Sequence, residues 1–293
     1  MREVHRFEDV ILLSDKEVSN AEGSLVRFTD GSVADLDQLA FRNRGTGEIA
    51  FRWASNHELP AEARSETYEF ENSSEVIFQG GDLYFEVTEG SSQSPILEVI
   101  GTDSFHSSVD IYETAAGLAI RTPERRRTLT VGSVFVNGRR VKGDPIEGKF
   151  NLRLPPTGPS VYVQNTGRGH GQIRLPVGLL DVEIDGCFEL EAVAVRDLEV
   201  RITGSGDVRV QEVTKSCKAE ISGSGSVKIS SGELPEADLR VSGSGDIEAD
   251  ITVQRARLVL QGSGSIKVGH VIEESLEVHC GSGTVTVHKR GIS

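Results

Sequence analysis

Five copies of one short motif decide the fold of the second half of the chain. They read TGSGDVRV (203–210), SGSGSVKI (222–229), SGSGDIEA (242–249), QGSGSIKV (261–268) and CGSGTVTV (280–287). The steps between successive Gly-Ser-Gly tripeptides are 19, 20, 19 and 19 residues. A fixed period of this length is typical of repeat folds, in which each unit buries its apolar face against its neighbours.

Each Gly-Ser-Gly turn lies between two short stretches in which apolar and polar residues alternate. The stretches that precede the turns are 198–202, 217–221, 237–241, 256–260 and 276–280. A period of two predicts strands with one face inward. On this alignment Cys217 and Cys280 both point inward, and the glycines let the chain turn tightly between strands.

The charges favour a parallel β-helix over a series of antiparallel hairpins. In a β-helix, residues one period apart stack as a column, about 4.8 Å apart. One predicted outward column alternates in charge at every step: Glu199, Lys218, Asp238, Arg257, Glu277. A second column alternates over Arg201, Glu220 and Arg240, and its next residue is the uncharged Val259. A third is less regular, because it contains one like-charge step from Arg209 to Lys228; it reads Arg174, Glu189, Arg209, Lys228, Glu248, Lys267, Thr286. Opposite charges in adjacent strands attract and like charges repel, so this alternation fixes which coil lies on which.

The sequence therefore predicts an all-β protein with a single-stranded parallel β-helix of 19–20-residue coils. Degraded copies of the pattern extend upstream to about residue 150, and irregular alternating segments begin near residue 82. We predict a small β-rich N-terminal module at 1–68, which includes a hairpin at 25–33 with an Asp30-Gly31 turn. The β-helix domain is predicted at 69–290 and is most regular over 196–290.

Composition excludes several classes of function. The formal net charge of -14 opposes nonspecific binding to nucleic acid or to anionic membranes. No apolar run approaches the roughly 18 residues of a membrane helix, and the acidic start lacks the apolar core of a signal peptide. Residues 196–293 contain no Phe, Trp or Tyr, so the regular coils offer no aromatic platform for a sugar.

The repeated unit resembles a known family. The S/T-G-S-G-[DS]-[VI] pattern of 203–208, 222–227 and 242–247 is similar to the auto-transporter adhesin head domain, also called the GIN domain. The segment KFNLRLP (149–155) looks like the related adhesin β-helix families, and the resemblance covers roughly residues 70–290. It implies a right-handed β-helix of generally unestablished function, often in exported or surface proteins of bacteria. The family implies a location at the cell envelope, whereas the start of the sequence favours the cytoplasm.

No motif in the chain predicts a catalytic, cofactor-binding or metal site. The stretch GDPIEGK (143–149) lacks the Ser or Thr that a phosphate-binding loop needs next, since Phe150 follows. Calcium prefers carboxylate ligands, but only two residues of one predicted column carry a carboxylate and the other three carry a hydroxyl. This column reads Asp207, Ser226, Asp246, Ser265, Thr284. His270, His279 and His288 are nine residues apart, but the predicted register places His279 on the outward face, away from the other two.

Three hypotheses for function follow. The first is a non-enzymatic scaffold for protein interaction or adhesion, because a stack of coils presents a long, stiff surface to an unknown protein or surface partner. The second is a cytoskeletal polymer of coils stacked end to end, which includes the possibility of a homo-oligomer. The third, a carbohydrate-active β-helix enzyme, rests on analogy of fold alone.

Overall fold

The chain divides into two compact units in a computed structural model. The structure describes residues 2–7, 10–14, 17–22, 25–29, 33–35, 40–42, 59, 62–72, 74–115, 117–124, 128–131 and 148–291. The first unit comprises residues 1–60 and 125–146, and the second comprises 61–124 and 147–293. The division into modules at 1–68 and 69–290 stays a prediction.

The described secondary structure is almost entirely β. Strands β1 to β6 and β13 belong to the first unit: Arg2–Phe7, Val10–Ser14, Val18–Glu22, Leu25–Phe28, Val33–Asp35, Ala40–Arg42 and, for β13, Thr128–Val131. The second unit contains β7 Arg64–Glu69, β8 Glu75–Gly80, β9 Leu83–Glu89, β10 Ile96–Gly101, α1 Asp103–Ser108, β11 Asp110–Glu113, β12 Gly117–Arg121, β14 Gly148–Leu154, β15 Ser160–Asn165, β16 Arg168–Ile173, β17 Val177–Ile184, β18 Cys187–Ile202, β19 Asp207–Ile221, β20 Ser226–Val241, β21 Asp246–Gly262, β22 Ser265–Gly281 and β23 Thr284–Arg290.

The first unit contains two small sheets. Strands β1 and β2 are antiparallel, and β13 pairs with β2 in parallel. Strands β3 to β6 form an antiparallel sheet in chain order. The predicted hairpin is confirmed in its strands, because β4 pairs with β5 in antiparallel fashion. Its turn residues Asp30 and Gly31 lie outside the described residues.

Within the second unit, residues 160–290 form a parallel β-helix of about seven turns with coils of about 19 residues, as predicted, and the strands before residue 160 form a curled mixed sheet. Each coil has two arms. One arm stacks β12, β8, β15, β17 and the second half of β18, and the other stacks β14, β9, β16 and the first half of β18. From β18 to β22 each strand runs through both arms and pairs in parallel with the next. Strands β7, β10 and β11 add antiparallel pairs to the two arms at the first coils.

The Gly-Ser-Gly turns fix the register because their backbones lie close together. The backbone N–H of Ser263 donates to the carbonyl of Gly243 one coil earlier at 3.1 Å, and Gly264 donates to the same oxygen at 3.3 Å. Gly262 has a φ of +136°, and a Cβ there would lie 2.3 Å from that oxygen. Only glycine allows both this conformation and this approach.

The interior is filled by the inward columns. In the first coils it is wide enough for aromatic rings, so Phe85 stacks on Phe78 with ring centroids 3.9 Å apart and lies 6.0 Å from Phe188. In the later coils the interior is filled by aliphatic residues such as Val208, Val227 and Ile247, each at most 1% exposed. Core burial is the main source of stability, since each fully buried side chain of this size contributes about 1.5–3 kcal/mol.

In the last coil the observed register differs by one residue from the predicted register. We predicted Arg257 opposite Glu277, an inward Cys280 and an outward His279, but Arg257 pairs with Leu276, Cys280 is exposed, and His279 pairs with the inward Leu260. The Gly262–Gly281 pairing holds the step at 19 residues, whereas the apolar pattern had suggested 20. A shift of one residue moves every side chain to the other face, so Leu276 is 55% exposed.

The third charge column also needs a correction at its start. Glu191, rather than Glu189, pairs with Arg209, and Gln172, rather than Arg174, pairs with Glu191. The like-charge step from Arg209 to Lys228 is confirmed. The turn after Ile184 has the same length as the next turn, because Ile184 pairs with Ile202 and Glu189 pairs with Asp207. Phe188 therefore occupies a turn position, and the equivalent of Arg209 lies two residues further along than predicted. The structure describes no helix long and apolar enough to cross a bilayer.

Candidate functional site

A groove runs along the β-helix where each coil bends from one arm to the other. The strand pairing is irregular at this bend, between Val195 and Asp197 in β18 and between Val213 and Ser216 in β19. The groove encloses about 590 Å³. It is lined by Leu179, Asp197, Leu198, Glu199, Ser216, Cys217, Lys218, Glu236, Ala237, Asp238, Arg255, Ala256, Arg257, Glu274 and Leu276, and we call it the charged groove.

One wall of the charged groove is the alternating column predicted from the sequence. Glu199 pairs with Lys218, Lys218 with Asp238, and Asp238 with Arg257 in successive coils, which confirms these three steps. Lys218 Nζ forms an ion pair with Glu199. Asp238 instead accepts two hydrogen bonds from Arg240 two residues along its own strand, at 2.9 and 2.6 Å. All of these side chains are partly exposed, so each pair contributes only about 0.2–1 kcal/mol.

The other wall consists of Asp197, Ser216, Glu236, Arg255 and Glu274 in successive coils. Ser216 Oγ donates to Asp197 Oδ1 at 2.6 Å, and this bond, more than those from Arg196 and Lys215, lowers the pKa of Asp197. Arg255 Nε donates to Glu236 Oε1 at 3.2 Å, which raises the pKa of the guanidinium. These two pKa shifts both favour the charged form, so Asp197 and Arg255 are charged at neutral pH.

The charged groove is suited to recognition by charge. Its lining contains five carboxylates (Asp197, Glu199, Glu236, Asp238, Glu274) and three cations (Lys218, Arg255, Arg257). Its floor consists of Leu198, Cys217, Ala237 and Ala256, each at most 5% exposed. Since strands are about 4.8 Å apart, the five strands that carry these charges give a fixed row about 19 Å long. Sequence reasoning found one wall from its alternating signs, but it missed the other wall because the position of the bend depends on backbone irregularities.

The other sequence candidates do not converge on this groove. His270 Nε2 lies 2.7 Å from the carbonyl oxygen of Gly291, and its strand position is opposite Lys289. The column of Asp207, Ser226, Asp246, Ser265 and Thr284 is confirmed as a stack, and the Oγ atoms of Ser226 and Ser265 each donate to the preceding aspartate at 2.6 Å. Within the described ranges, no three His, Cys, Asp or Glu side chains come together as metal ligands. Residues 143–147 of the GDPIEGK stretch lie outside those ranges.

Cys217, in the floor of the charged groove, gives a prediction that separates the three thiols. Burial raises its pKa to about 12, whereas Cys187 and Cys280 are exposed. We expect an aromatic disulfide reagent at pH 8 to modify two thiols of the native protein quickly and the third only on unfolding, because the thiolate is the reactive form. Rapid reaction of all three thiols in the native protein would contradict the inward position of Cys217.

The same shift sets a dependence of stability on pH. Because the folded pKa lies above that of an unfolded cysteine, the folded protein keeps this proton longer, and stability falls as the pH rises above about 8.5–9, by up to about 1.4 kcal/mol per unit. Between pH 9 and 10 the Cys217→Ala variant should lose less stability than the parent. Burial also raises the pKa of Tyr84 to about 12, but its contribution begins only above pH 10.

Comparison with known proteins agrees with the fold. The family model described as "Putative auto-transporter adhesin, head GIN domain" matches residues 148–232. We call these matched residues the GIN region. This GIN region begins with β14 and ends within β20, so it includes the first two regular turns, and the resemblance seen in the sequence is confirmed there.

Three solved structures resemble most of the chain. A putative adhesin from Bacteroides fragilis NCTC 9343 has a TM-score of 0.58 at 17% identity, over 78% of this chain and 98% of that one. Putative adhesins from Parabacteroides merdae ATCC 43184 and Parabacteroides distasonis ATCC 8503 have TM-scores of 0.51 and 0.50, at 15% and 18% identity, over 78% and 77% of this chain and 97% and 96% of theirs. At these identities the similarity beyond the GIN region establishes the fold alone. The search of curated proteins gives no match.

Proposed function

We propose that this protein is a non-enzymatic β-helix scaffold for protein interaction or adhesion, with the charged groove as a contact surface. The observation that carries the proposal is the groove itself, a row of charges held on five successive strands, β18 to β22. A rigid array of this kind binds with little loss of conformational entropy, since its backbone is already ordered. The GIN region and the adhesin-like structural neighbours support the same class of function.

The chemistry of the groove favours binding over acid–base catalysis. A two-carboxylate glycosidase needs one carboxyl group held protonated and a second beside it ionised. In the charged groove, Asp197 has a lowered pKa, and Glu199 and Glu236 are each in an ion pair with a cation of the next coil. A carboxylate in an ion pair is a poor acid or base, but a row of such pairs can recognise a partner whose charges occur in a complementary order.

A charge reversal within the groove tests the proposal. Immobilised protein is used to capture partners from an extract of the source cells, and a captured protein is then purified and its affinity measured. The Glu236→Lys/Glu274→Lys variant should weaken that affinity at least tenfold. The control is Glu212→Lys/Glu233→Lys, which changes the net charge equally at exposed positions outside the groove lining; its affinity should change less than twofold.

Two results would oppose this function. If both double variants bind a captured partner as tightly as the parent, the groove is not its contact surface. If the purified protein turns over a polysaccharide substrate and the Glu236→Gln variant loses that turnover, the protein is an enzyme.

A further inference from the structure

A second concave region lies on the other arm of the coils, away from the charged groove. It encloses about 300 Å³ and is lined by Gln172, Ile173, Arg174, Glu191, Ala192, Val193, Arg209, Val210, Gln211, Lys228 and Ser230. The lining carries three cations, Arg174, Arg209 and Lys228, and one carboxylate, Glu191. We call it the cationic slot, and its positive balance contrasts with the chain's net charge of -14.

The cationic slot contains an exception to the alternation of charge. Arg209 and Lys228 face each other in β19 and β20, and they are the only Lys or Arg pair opposite each other in the described strand pairings. Two cations about 4.8 Å apart repel, so this step costs stability, whereas the steps on either side of it in the column, Glu191 to Arg209 and Lys228 to Glu248, add it. A position where a sequence departs from the pattern that stabilises its fold is a candidate functional site.

The three cations retain capacity to bind a ligand. Lys228 Nζ lies 3.2 Å from Glu248, Arg209 forms an ion pair with Glu189, and Arg174 Nε lies 2.5 Å from Glu86. None of these three carboxylates lines the slot. A guanidinium has five N–H donors and an ammonium three, so donors remain on each cation, whose side chains are 44–57% exposed.

The neutral residues of the slot suit an oxyanion of elongated shape. Gln172, Gln211 and Ser230 add amide and hydroxyl donors, and Ala192 and Val193 keep the floor shallow. The slot crosses four strands, β16, β18, β19 and β20, which corresponds to about 14 Å. Its lining includes no aromatic side chain, so it lacks the platform on which sugar rings usually stack.

We propose that the cationic slot binds an acidic segment of a partner protein, whose carboxylates contact Arg174, Arg209 and Lys228. Carboxylate groups match guanidinium donors in geometry and charge. A peptide spanning the slot would place several carboxylates along the three cations, because successive residues of an extended chain are about 3.4 Å apart. This proposal does not depend on the charged groove, which uses other columns, and either can fail alone.

The test measures binding of a fluorescently labelled hexaglutamate peptide to the full chain in 50 mM salt. We expect saturable binding that weakens as salt rises. The Arg209→Gln/Lys228→Gln variant should bind at least tenfold more weakly. The Arg201→Gln/Lys289→Gln control removes the same two charges at exposed positions outside both the slot and the charged groove, and it should change the affinity less than twofold.

A variant that gains affinity tests the proposal more specifically than one that loses it. Glu191→Gln removes the single carboxylate of the slot and keeps its shape, so hexaglutamate should bind about threefold more tightly. A misfolded variant would not give this increase. Hexaglutamine, inorganic phosphate and polygalacturonate serve as competitors.

Four outcomes would overturn the proposal. They are the absence of saturable binding, an equal loss of affinity in the Arg201→Gln/Lys289→Gln control, no gain in the Glu191→Gln variant, and tighter binding of phosphate or polygalacturonate than of hexaglutamate. Tighter binding of polygalacturonate would make the slot a site for an acidic polysaccharide.

Discussion

Replacing Phe85 with alanine is expected to lower the free energy of unfolding by about 3–5 kcal/mol. Its ring lies between Phe78, at a centroid distance of 3.9 Å, and Phe188, at 6.0 Å, so it connects three strands in the widest part of the interior. The alanine variant would lose the transfer free energy of the ring and leave a cavity that these neighbours cannot fill without moving the backbone. Urea unfolding followed by far-ultraviolet circular dichroism measures the effect.

Tyr112→Ala is the control for this prediction, because it also removes an aromatic ring but at a position that is 43% exposed. We expect it to cost about 1 kcal/mol or less. Equal losses in the two variants would mean that the three rings do not form a packed core.

Replacing Gly262 with alanine is expected to cost about 2–4 kcal/mol. A non-glycine residue at its φ of +136° is strained by about 1–3 kcal/mol. The new Cβ would also lie 2.3 Å from the carbonyl oxygen of Gly243, which accepts the backbone hydrogen bonds of Ser263 and Gly264. The substitution therefore acts on the contact that joins two coils, and the unfolding midpoint in urea measures it.

Ser263→Ala tests whether the effect belongs to the backbone. Ser263 occupies the same turn, and its Oγ lies 3.2 Å from Ser282 Oγ in an exposed contact. Its loss should change the free energy of unfolding by no more than about 0.5 kcal/mol. If Gly262→Ala costs as little, close contact of the turn backbones does not set the register.

The repeat made the architecture predictable because every level of the sequence agreed over 196–260. Turn glycines, inward apolar residues and outward charges all required the same step, and Lys218 accordingly lies between Glu199 and Asp238. The last coil was mispredicted because two signals disagreed. The apolar residues Leu276 and Val278 suggested one register, and the turn required another. Backbone pairing in the turn outweighed side-chain burial there, since nothing in the described structure stacks on residues 275–281.

The sites were less predictable than the fold. One wall of the charged groove could be read as an alternating column, but the bend that makes it a groove arises from irregular pairing near Ser216. The cationic slot had a signal, the like-charge step from Arg209 to Lys228. The predicted column already included Arg174, but it placed Glu189 where the structure has Glu191, so the lining of the slot was not predicted.

The nearly identical turns also make each coil an interchangeable unit of length. Duplication of one nineteen-residue segment would join the same turn to itself, lengthening the molecule by about 4.8 Å without a new kind of contact. Such a duplication would also change the order of charged side chains along the outer surface. A single genetic event could therefore both lengthen the β-helix and change the set of partners that it recognises by charge.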